Sequence, residues 1–367
     1  MSSIFHKTVL LFVLILCGCG GGGDSAATPQ ISMGNFQTPI NARLIHSAVF
    51  VTRVTINGST NLDILVDTGS TNTYVPAQLF GNPGESINIS SLCFENNVCI
   101  YDFEAFLSDS AFAQSKEGYY NGIIGMDLLK YFDLTFDYKN ESILFYDALE
   151  NGPSESVTIP IRYEGNRPFT NVSIEGLSQG ITLLDTGAAY TRLSPIMLDS
   201  LSQLPTVLFT SFVFNFGVSE SVEYLSLTDY CTGMACTDEI IVQIGSWHAV
   251  GGTFFREFLT VFNFTDNIVK LDRYLDNSHI KASGIQRSGV QIDIYDASQI
   301  IYVIEGGLAW EAGLRDGYEI LSINGIPILS LGYFGIYDLL SDTTIESYQF
   351  VVINSVGDVE EFTIIIG

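Results

Sequence analysis

Two aspartates sit in matching contexts, 118 residues apart (67 and 185). Asn57-Gly58-Ser59-Thr60-Asn61-Leu62-Asp63-Ile64-Leu65-Val66-Asp67-Thr68-Gly69-Ser70 aligns without a gap with Glu175-Gly176-Leu177-Ser178-Gln179-Gly180-Ile181-Thr182-Leu183-Leu184-Asp185-Thr186-Gly187-Ala188. Each stretch reads as a turn, a strand and then Asp-Thr-Gly. Each is followed by a second element: Gly122-Ile123-Ile124-Gly125 with an apolar run over 128–136, and Ala249-Val250-Gly251-Gly252 with one over 254–262. Asp67 to Gly125 is 58 residues and Asp185 to Gly251 is 66, so the halves follow one plan. Two carboxylates held close together cannot both ionise easily, so they share a proton over a wide pH range. The ionised member takes a proton from a water between them, and the protonated member polarises a carbonyl. Gly69 and Gly187 let the backbone approach the carboxylates where a Cβ would obstruct it.

One Asp-Thr-Gly is expected by chance roughly 0.1 times in a chain of this length, and on its own would mark a turn at a strand end. Two copies, each ahead of an apolar-apolar-Gly element, are not accidental. The pattern resembles the aspartic peptidases, in which each lobe supplies one Asp-Thr-Gly and one apolar-apolar-Gly segment beneath it. The resemblance covers residues from about 36 to 275. The short lobes are more similar to the retropepsin kind, duplicated in one chain, than to the larger lobes of pepsins. Ala188 points the same way, whereas Ser70 is the pepsin-like choice. The resemblance implies Asp67 and Asp185 as the catalytic pair, supported by Thr68, Gly69, Ser70, Thr186, Gly187 and Ala188, with the two threonines hydrogen-bonding across the lobe boundary. Ser70 can add a hydrogen bond to its carboxylate and Ala188 cannot, so Asp67 is expected to ionise more readily.

The stretch 91–101 alternates in character around Glu95-Asn96-Asn97 and reads as a hairpin. It lies where the resemblance would put a flap closing over substrate, which makes Cys93, Glu95, Asn96, Asn97, Cys99 and Tyr101 flap candidates. Four of the six cysteines form two close pairs, Cys93 with Cys99 and Cys231 with Cys236, and in an exported chain two local disulfides follow. Cys231 and Cys236 lie 46 and 51 residues after Asp185, so by spacing they are not the repeat partner of that hairpin. His46, His248 and His279 show no metal-ligand spacing, and no metal or other cofactor is expected.

After Asp272 the Asp-Thr-Gly pattern does not recur, and Asp276-Asn277-Ser278-His279 is a polar break. Beyond it, Ile301 to Ile304, Glu305-Gly306-Gly307-Leu308-Ala309-Trp310-Glu311-Ala312-Gly313-Leu314, Gly317 and Ile320 to Ile328 resemble a bacterial PDZ domain. Leu308 stands where such domains usually have proline, and Tyr318 where Asp is usual. Such domains bind extended peptides at a sheet edge, with backbone amides on a terminal carboxylate. Ser288, Gly289 and Val290 are the candidate carboxylate loop. A packing module without a ligand is the alternative for this unit.

The N-terminus carries Lys7, an apolar run from Thr8 to Leu16, then Cys17-Gly18-Cys19 and the glycine tract Gly20 to Gly23. The run is far shorter than the roughly 20 residues of a membrane-crossing helix, and it reads as an export signal. It resembles a bacterial lipoprotein signal with Cys19 as the lipidated residue; an ordinary secretory signal is the alternative. A flexible tether over 20–35 would follow.

Of 367 residues, 15 are Lys or Arg and 41 are Asp or Glu, a formal charge of −26, which excludes a nucleic-acid partner. Apolar residues make up 47%, enough for packed cores. No G-x-S-x-G elbow, Walker A loop or G-x-G-x-x-G opening a helix is present. The fold class expected is mainly β. A bilobal aspartic-peptidase fold of two retropepsin-like β-barrel lobes (36–150 and 151–275) would follow the signal (1–19) and tether, with a PDZ-like β-rich domain over 280–367. The function implied is an exported aspartic endopeptidase acting on peptide or unfolded protein, lipid-anchored at the bacterial cell envelope on the periplasmic side or cell surface. A C-terminal peptide is the ligand implied for the PDZ unit. A non-catalytic peptide-binding envelope lipoprotein is the alternative.

Overall fold

The computed structural model describes residues 28–45, 48–108, 120–150, 156–199, 201, 205, 207–215, 218–280, 284–292, 298 and 300–366. Cys19 and the rest of the expected signal lie outside the described residues. The chain is mainly β, with its helices short except for Ile328–Ser341.

Six strands of the first half close on themselves. Val49–Ile56 pairs with Thr60–Val66, which runs parallel to Gly122–Ile124. That strand pairs antiparallel with Tyr74–Pro76, which runs parallel to Cys99–Ser108. Cys99–Ser108 pairs with Ser86–Phe94, and Ser86–Phe94 returns to Val49–Ile56. The second half repeats the circuit with every strand sense preserved: Arg167–Ile174, Leu177–Leu184, Ala249–Val250, Thr191–Leu193, Ala235–Ile244 and Val218–Thr232, which closes on Arg167–Ile174. Closure removes exposed sheet edges. Period-two alternation drives it: Leu62, Ile64 and Val66 enter the main core from one strand, as do Val54 and Ile56 from its neighbour.

Below the two rings lies a shared sheet of six strands in the order Ile40–Ile45, Ser142–Leu144, Asp133–Asp137, Phe258–Asn263, Ile268–Arg273, Val157–Pro160. Its centre is the antiparallel pair Asp133–Asp137 with Phe258–Asn263, one strand from each half, in which Thr135 faces Val261. Phe136 and Phe262 meet edge to face there with centroids 5.8 Å apart, so one continuous core ties the halves together.

Residues 284–366 build a separate small core around Ile320, Ile323, Tyr348, Phe350 and Val352. A four-stranded sheet, in the order Ile326–Pro327, Glu319–Ile323, Ser347–Ile353, Val359–Ile365, carries helix Ile328–Ser341, and Val290–Ile292 pairs with Ile300–Val303 as a separate hairpin. In the polar break, Leu275 is fully exposed while His279 Nε2 meets the Arg256 carbonyl at 2.8 Å. The expected tether ends sooner than residue 35, because Gln30–Ser32 is a strand on Tyr101–Cys99.

Candidate active site

Strands Thr60–Val66 and Leu177–Leu184 deliver Asp67 and Asp185 to one place. Each aspartate is anchored by its own loop. Gly69 N–H and Ser70 N–H donate to Asp67 Oδ1 at 2.7 and 3.1 Å, and Gly187 N–H and Ala188 N–H donate to Asp185 Oδ1 at 2.9 and 3.0 Å. Each carboxyl lies over the other half's loop, so that a Cβ built on Gly69 would stand 2.4 Å from Asp185 Cγ and one on Gly187 2.4 Å from Asp67 Cγ. Behind them Thr68 and Thr186 lock the halves together. Each threonine N–H donates to the other's Oγ1 at 3.0 Å. The Thr68 hydroxyl donates to Leu184 O at 2.7 Å and the Thr186 hydroxyl to Val66 O at 2.8 Å. All four bonds are buried and each crosses between the halves, joining a threonine hydroxyl of one half to the backbone of the other, so the two loops and their carboxyls are held in fixed relation.

Burial pushes the Asp67 carboxyl well above the ordinary carboxylate range, and the neighbouring Asp185 charge adds to it. Burial also raises Asp185, against the hydrogen bond from Asp67 and the nearby Arg192 guanidinium, both of which favour its charged form. Both carboxyls are thus pushed toward the neutral form, so the pair holds a proton between them into a range where a free carboxyl has lost it. The extra side-chain hydrogen bond expected from Ser70 is not made. The Ser70 hydroxyl donates to Asn72 O at 2.8 Å, so the help Ser70 gives Asp67 comes from its N–H, which Ala188 matches at Asp185.

A second layer supports the loops. Thr73, six residues after Asp67, accepts from Gly125 N–H, and Thr191, six after Asp185, accepts from Gly251 N–H, both at 3.1 Å. Thr73 is held in turn by Asp127 and Thr191 by Thr253. These residues and Arg192, which lies 4.6 Å over the Trp247 ring, were not singled out in the sequence. The equal offset of Thr73 and Thr191 from their aspartates was the signal that could have found them.

The hairpin expected as a flap does not cover the carboxyls. Its tip is tied toward the shared sheet: Asn35 N–H donates to Asn96 O at 2.9 Å and Asn96 Nδ2 to Thr38 O at 2.9 Å. Asn96 is 5% exposed, Gly34 lies against the Asn97 backbone, and Cys99 to Tyr101 carry the added strand Gln30–Ser32. Glu95 and Asn97 alone of the tip are exposed among the expected flap residues there. A tip fastened this way is a structural corner. The second half adds a further long antiparallel hairpin, Val207–Asn215 on Val218–Leu225.

Cys93–Cys99 and Cys231–Cys236 are both disulfides, and they are repeat partners after all. Cys93 registers on Thr55 and Cys231 on Ser173, and both those residues lie twelve positions before their aspartates. The longer gap from Asp185 to Cys231 is taken up by the long hairpin.

The expected carboxylate loop at Ser288, Gly289 and Val290 is not open in this conformation. All three residues are buried, Val290 N–H donates to Ser288 Oγ at 3.1 Å, and Gly289 O accepts from Ile304 N–H at 2.9 Å. Arg287 beside them is spent on Leu340 O, Ile345 O, the Asp342 carbonyl and the Tyr348 hydroxyl. Compared with known families and with curated proteins, the chain matches no family model and no curated protein.

Proposed function

We propose that the chain is an aspartic endopeptidase of two retropepsin-like lobes followed by a PDZ-like unit, exported and lipid-anchored through Cys19 at a bacterial cell envelope. The observation that supports it is the facing pair Asp67 and Asp185, each against the other half's glycine loop and held by the reciprocal threonine bonds between two rings of identical strand sense. A pair held this way is built to share one proton. The ionised member of the pair takes a proton from a water, whose oxygen bonds to the peptide carbonyl carbon while the protonated member gives its proton to the carbonyl oxygen. In the collapse of that adduct the second carboxyl recovers its proton, the C–N bond breaks, and the first hands its proton to the leaving nitrogen.

The substrate class that follows is peptide or unfolded protein. Incubation of the purified mature chain with denatured protein, with and without a transition-state peptide inhibitor of aspartic peptidases, tests the reading. Inhibitor-sensitive cleavage lost in both Asp67→Asn and Asp185→Asn, each folded as wild type, is expected. Cleavage at near wild-type rate by either variant overturns it.

A further inference from the structure

Strand Thr60–Val66 divides its side chains between two environments. Ile64 and Val66 enter the main core, whereas Leu65, two residues before Asp67, points to the other face. The same division runs through the neighbouring strands: Val54 and Ile124 go to the core, Val51 and Ile123 to the outer face, with Ile123 registered on both Leu65 and Tyr74. The outer face of a closed ring ordinarily meets solvent or a ligand. An apolar outer face ending at a carboxyl pair is suited to hold the side chains that flank a scissile bond.

That face is covered by the chain itself. Tyr337, from helix Ile328–Ser341, packs in one cluster with Val51, Leu65 and Ile123, and Tyr74 and Ala189 close on it from the two halves. Ala189 is four residues past Asp185. Tyr337 is 8% exposed, Leu65 4% and Ile123 9%. The buried Arg256 guanidinium lies within electrostatic reach of Tyr190 and Tyr337. A second contact lies beside it. Ile304 packs with Tyr190, Val222 and Tyr224, and strand Ile300–Val303 lies against strand Val207–Asn215 of the long hairpin. The two contacts come from different elements of the C-terminal unit and meet residues of both halves next to the aspartates.

We propose that the C-terminal unit is an autoinhibitory plug: Tyr337 fills the apolar subsite beside Asp67 and Ile304 holds the base of the long hairpin, so a substrate enters only when the unit lifts away. This inference rests on the peptidase reading. A site open in a fraction of molecules binds substrate with an affinity reduced by that fraction. Loosening the plug therefore lowers KM and leaves the chemical step unchanged.

The test compares full-length wild type, Tyr337→Ala, Tyr337→Phe and Ile304→Asp on a short apolar peptide, with Asp67→Asn as the blank and thermal unfolding as the check on folding. Tyr337→Ala and Ile304→Asp are expected to raise kcat/KM by about tenfold or more, carried by KM, while Tyr337→Phe stays near wild type. Should Tyr337→Ala not fold, Ile304→Asp decides alone, because its contact is made by another element. Equal kcat/KM in wild type and the loosened variants, with Asp67→Asn silent, overturns the plug and leaves the peptidase standing. No cleavage by wild type or by either loosened variant removes the peptidase reading and the plug with it.

Discussion

Gly69 lies so close to the Asp185 carboxyl that a Cβ built on it would stand 2.5 Å from Oδ1 and 2.7 Å from Oδ2. Gly187 faces Asp67 at the same two distances. Each half thus leaves room for the other's reacting group, and neither glycine is there for an unusual backbone angle. Gly69→Ala and Gly187→Ala should each force the carboxyls apart. The expected cost is about 1–3 kcal/mol of stability from overpacking and about a 100-fold loss of turnover from misplacement of the pair. Denaturant unfolding and peptide kinetics measure the two effects separately, and a fully active Gly69→Ala would contradict the closeness of the carboxyls.

The threonine lock makes a separate prediction. In Thr68→Val the Leu184 carbonyl loses its donor and Thr186 N–H its acceptor, and both are buried. At roughly 1–3 kcal/mol for each buried group left without a partner, a loss of about 2–6 kcal/mol is expected. Thr68→Ser keeps both bonds and should recover most of the stability and activity. If Thr68→Val and Thr68→Ser unfold at the same denaturant concentration, the cross-bonds contribute nothing.

Both aspartates are raised above their ordinary value of 3.8, chiefly by burial. Between that value and the folded-state values the folded chain holds more protons than the unfolded one, so stability falls as pH rises through the window. The contribution is fully present below the unfolded value and is lost as the pair is forced to ionise. Asp67→Asn replaces one of the two buried carboxyls by a neutral amide, so no second like charge can develop there as pH rises. Its melting temperature should exceed that of wild type at pH 7 and approach it in acid, which a pair of melting series would show. Arg192→Met removes the cation that favours ionised Asp185, so the acid limb of the pH–rate profile should move up in that variant. Ser70→Ala should leave the limb where it is, because the Ser70 hydroxyl is engaged by Asn72 O.

Replacing Cys93 and Cys99 together by serine should lower stability and leave turnover almost unchanged. The residues span a separation of six, so the chain-entropy effect falls below the roughly 3 kcal/mol of a 15-residue loop. The hairpin they staple is a corner tied to Asn35 and Thr38, remote in function from a moving cover. A large fall in kcat with an unchanged melting temperature would return that hairpin to the site.

The aspartate pair was legible in the sequence because Asp-Thr-Gly needs particular residue types at fixed offsets, and its duplication is local to read. The long hairpin was not, for a reason of arithmetic. Cys93 lies 26 residues after Asp67 and Cys231 lies 46 after Asp185, an excess of 20 in the second half. From the second cysteine to the later glycine the first half is the longer, with 26 residues from Cys99 to Gly125 against 15 from Cys236 to Gly251. The two differences largely cancel in the overall spacings of 58 and 66, which made the halves look more alike than they are. Tyr337 was beyond reach for another reason. It sits in a weakly amphipathic helix interrupted at Gly332, and nothing in a one-dimensional pattern says that a ring there packs on residues more than 200 positions earlier.

The excess of 20 residues is accommodated by the hairpin arms up to Glu223, Val207–Asn215 and the facing 218–223, which lie outside the closed circuit of the second half. The circuit itself closes through later residues of the same strand, where Thr232, Cys231 and Tyr230 register on Val172, Ser173 and Ile174, and Tyr224 to Thr232 pair with Gln243 to Ala235. Removing the arms should therefore leave the ring intact. A deletion of residues 208–223, with a short glycine-serine bridge, is expected to fold with a melting temperature within a few degrees of wild type. On the reading that these arms, in place of the first-half hairpin, close on a bound peptide, turnover should fall by about 100-fold or more, because such a cover excludes water and fixes the attack geometry. The deletion also removes Val222, one of the residues on which Ile304 packs, so the kinetics are best measured in a Tyr337→Ala background, where release of the C-terminal unit has already occurred. Full turnover by the shortened chain in that background would assign the arms to docking alone; a chain that fails to fold would place them in the ring.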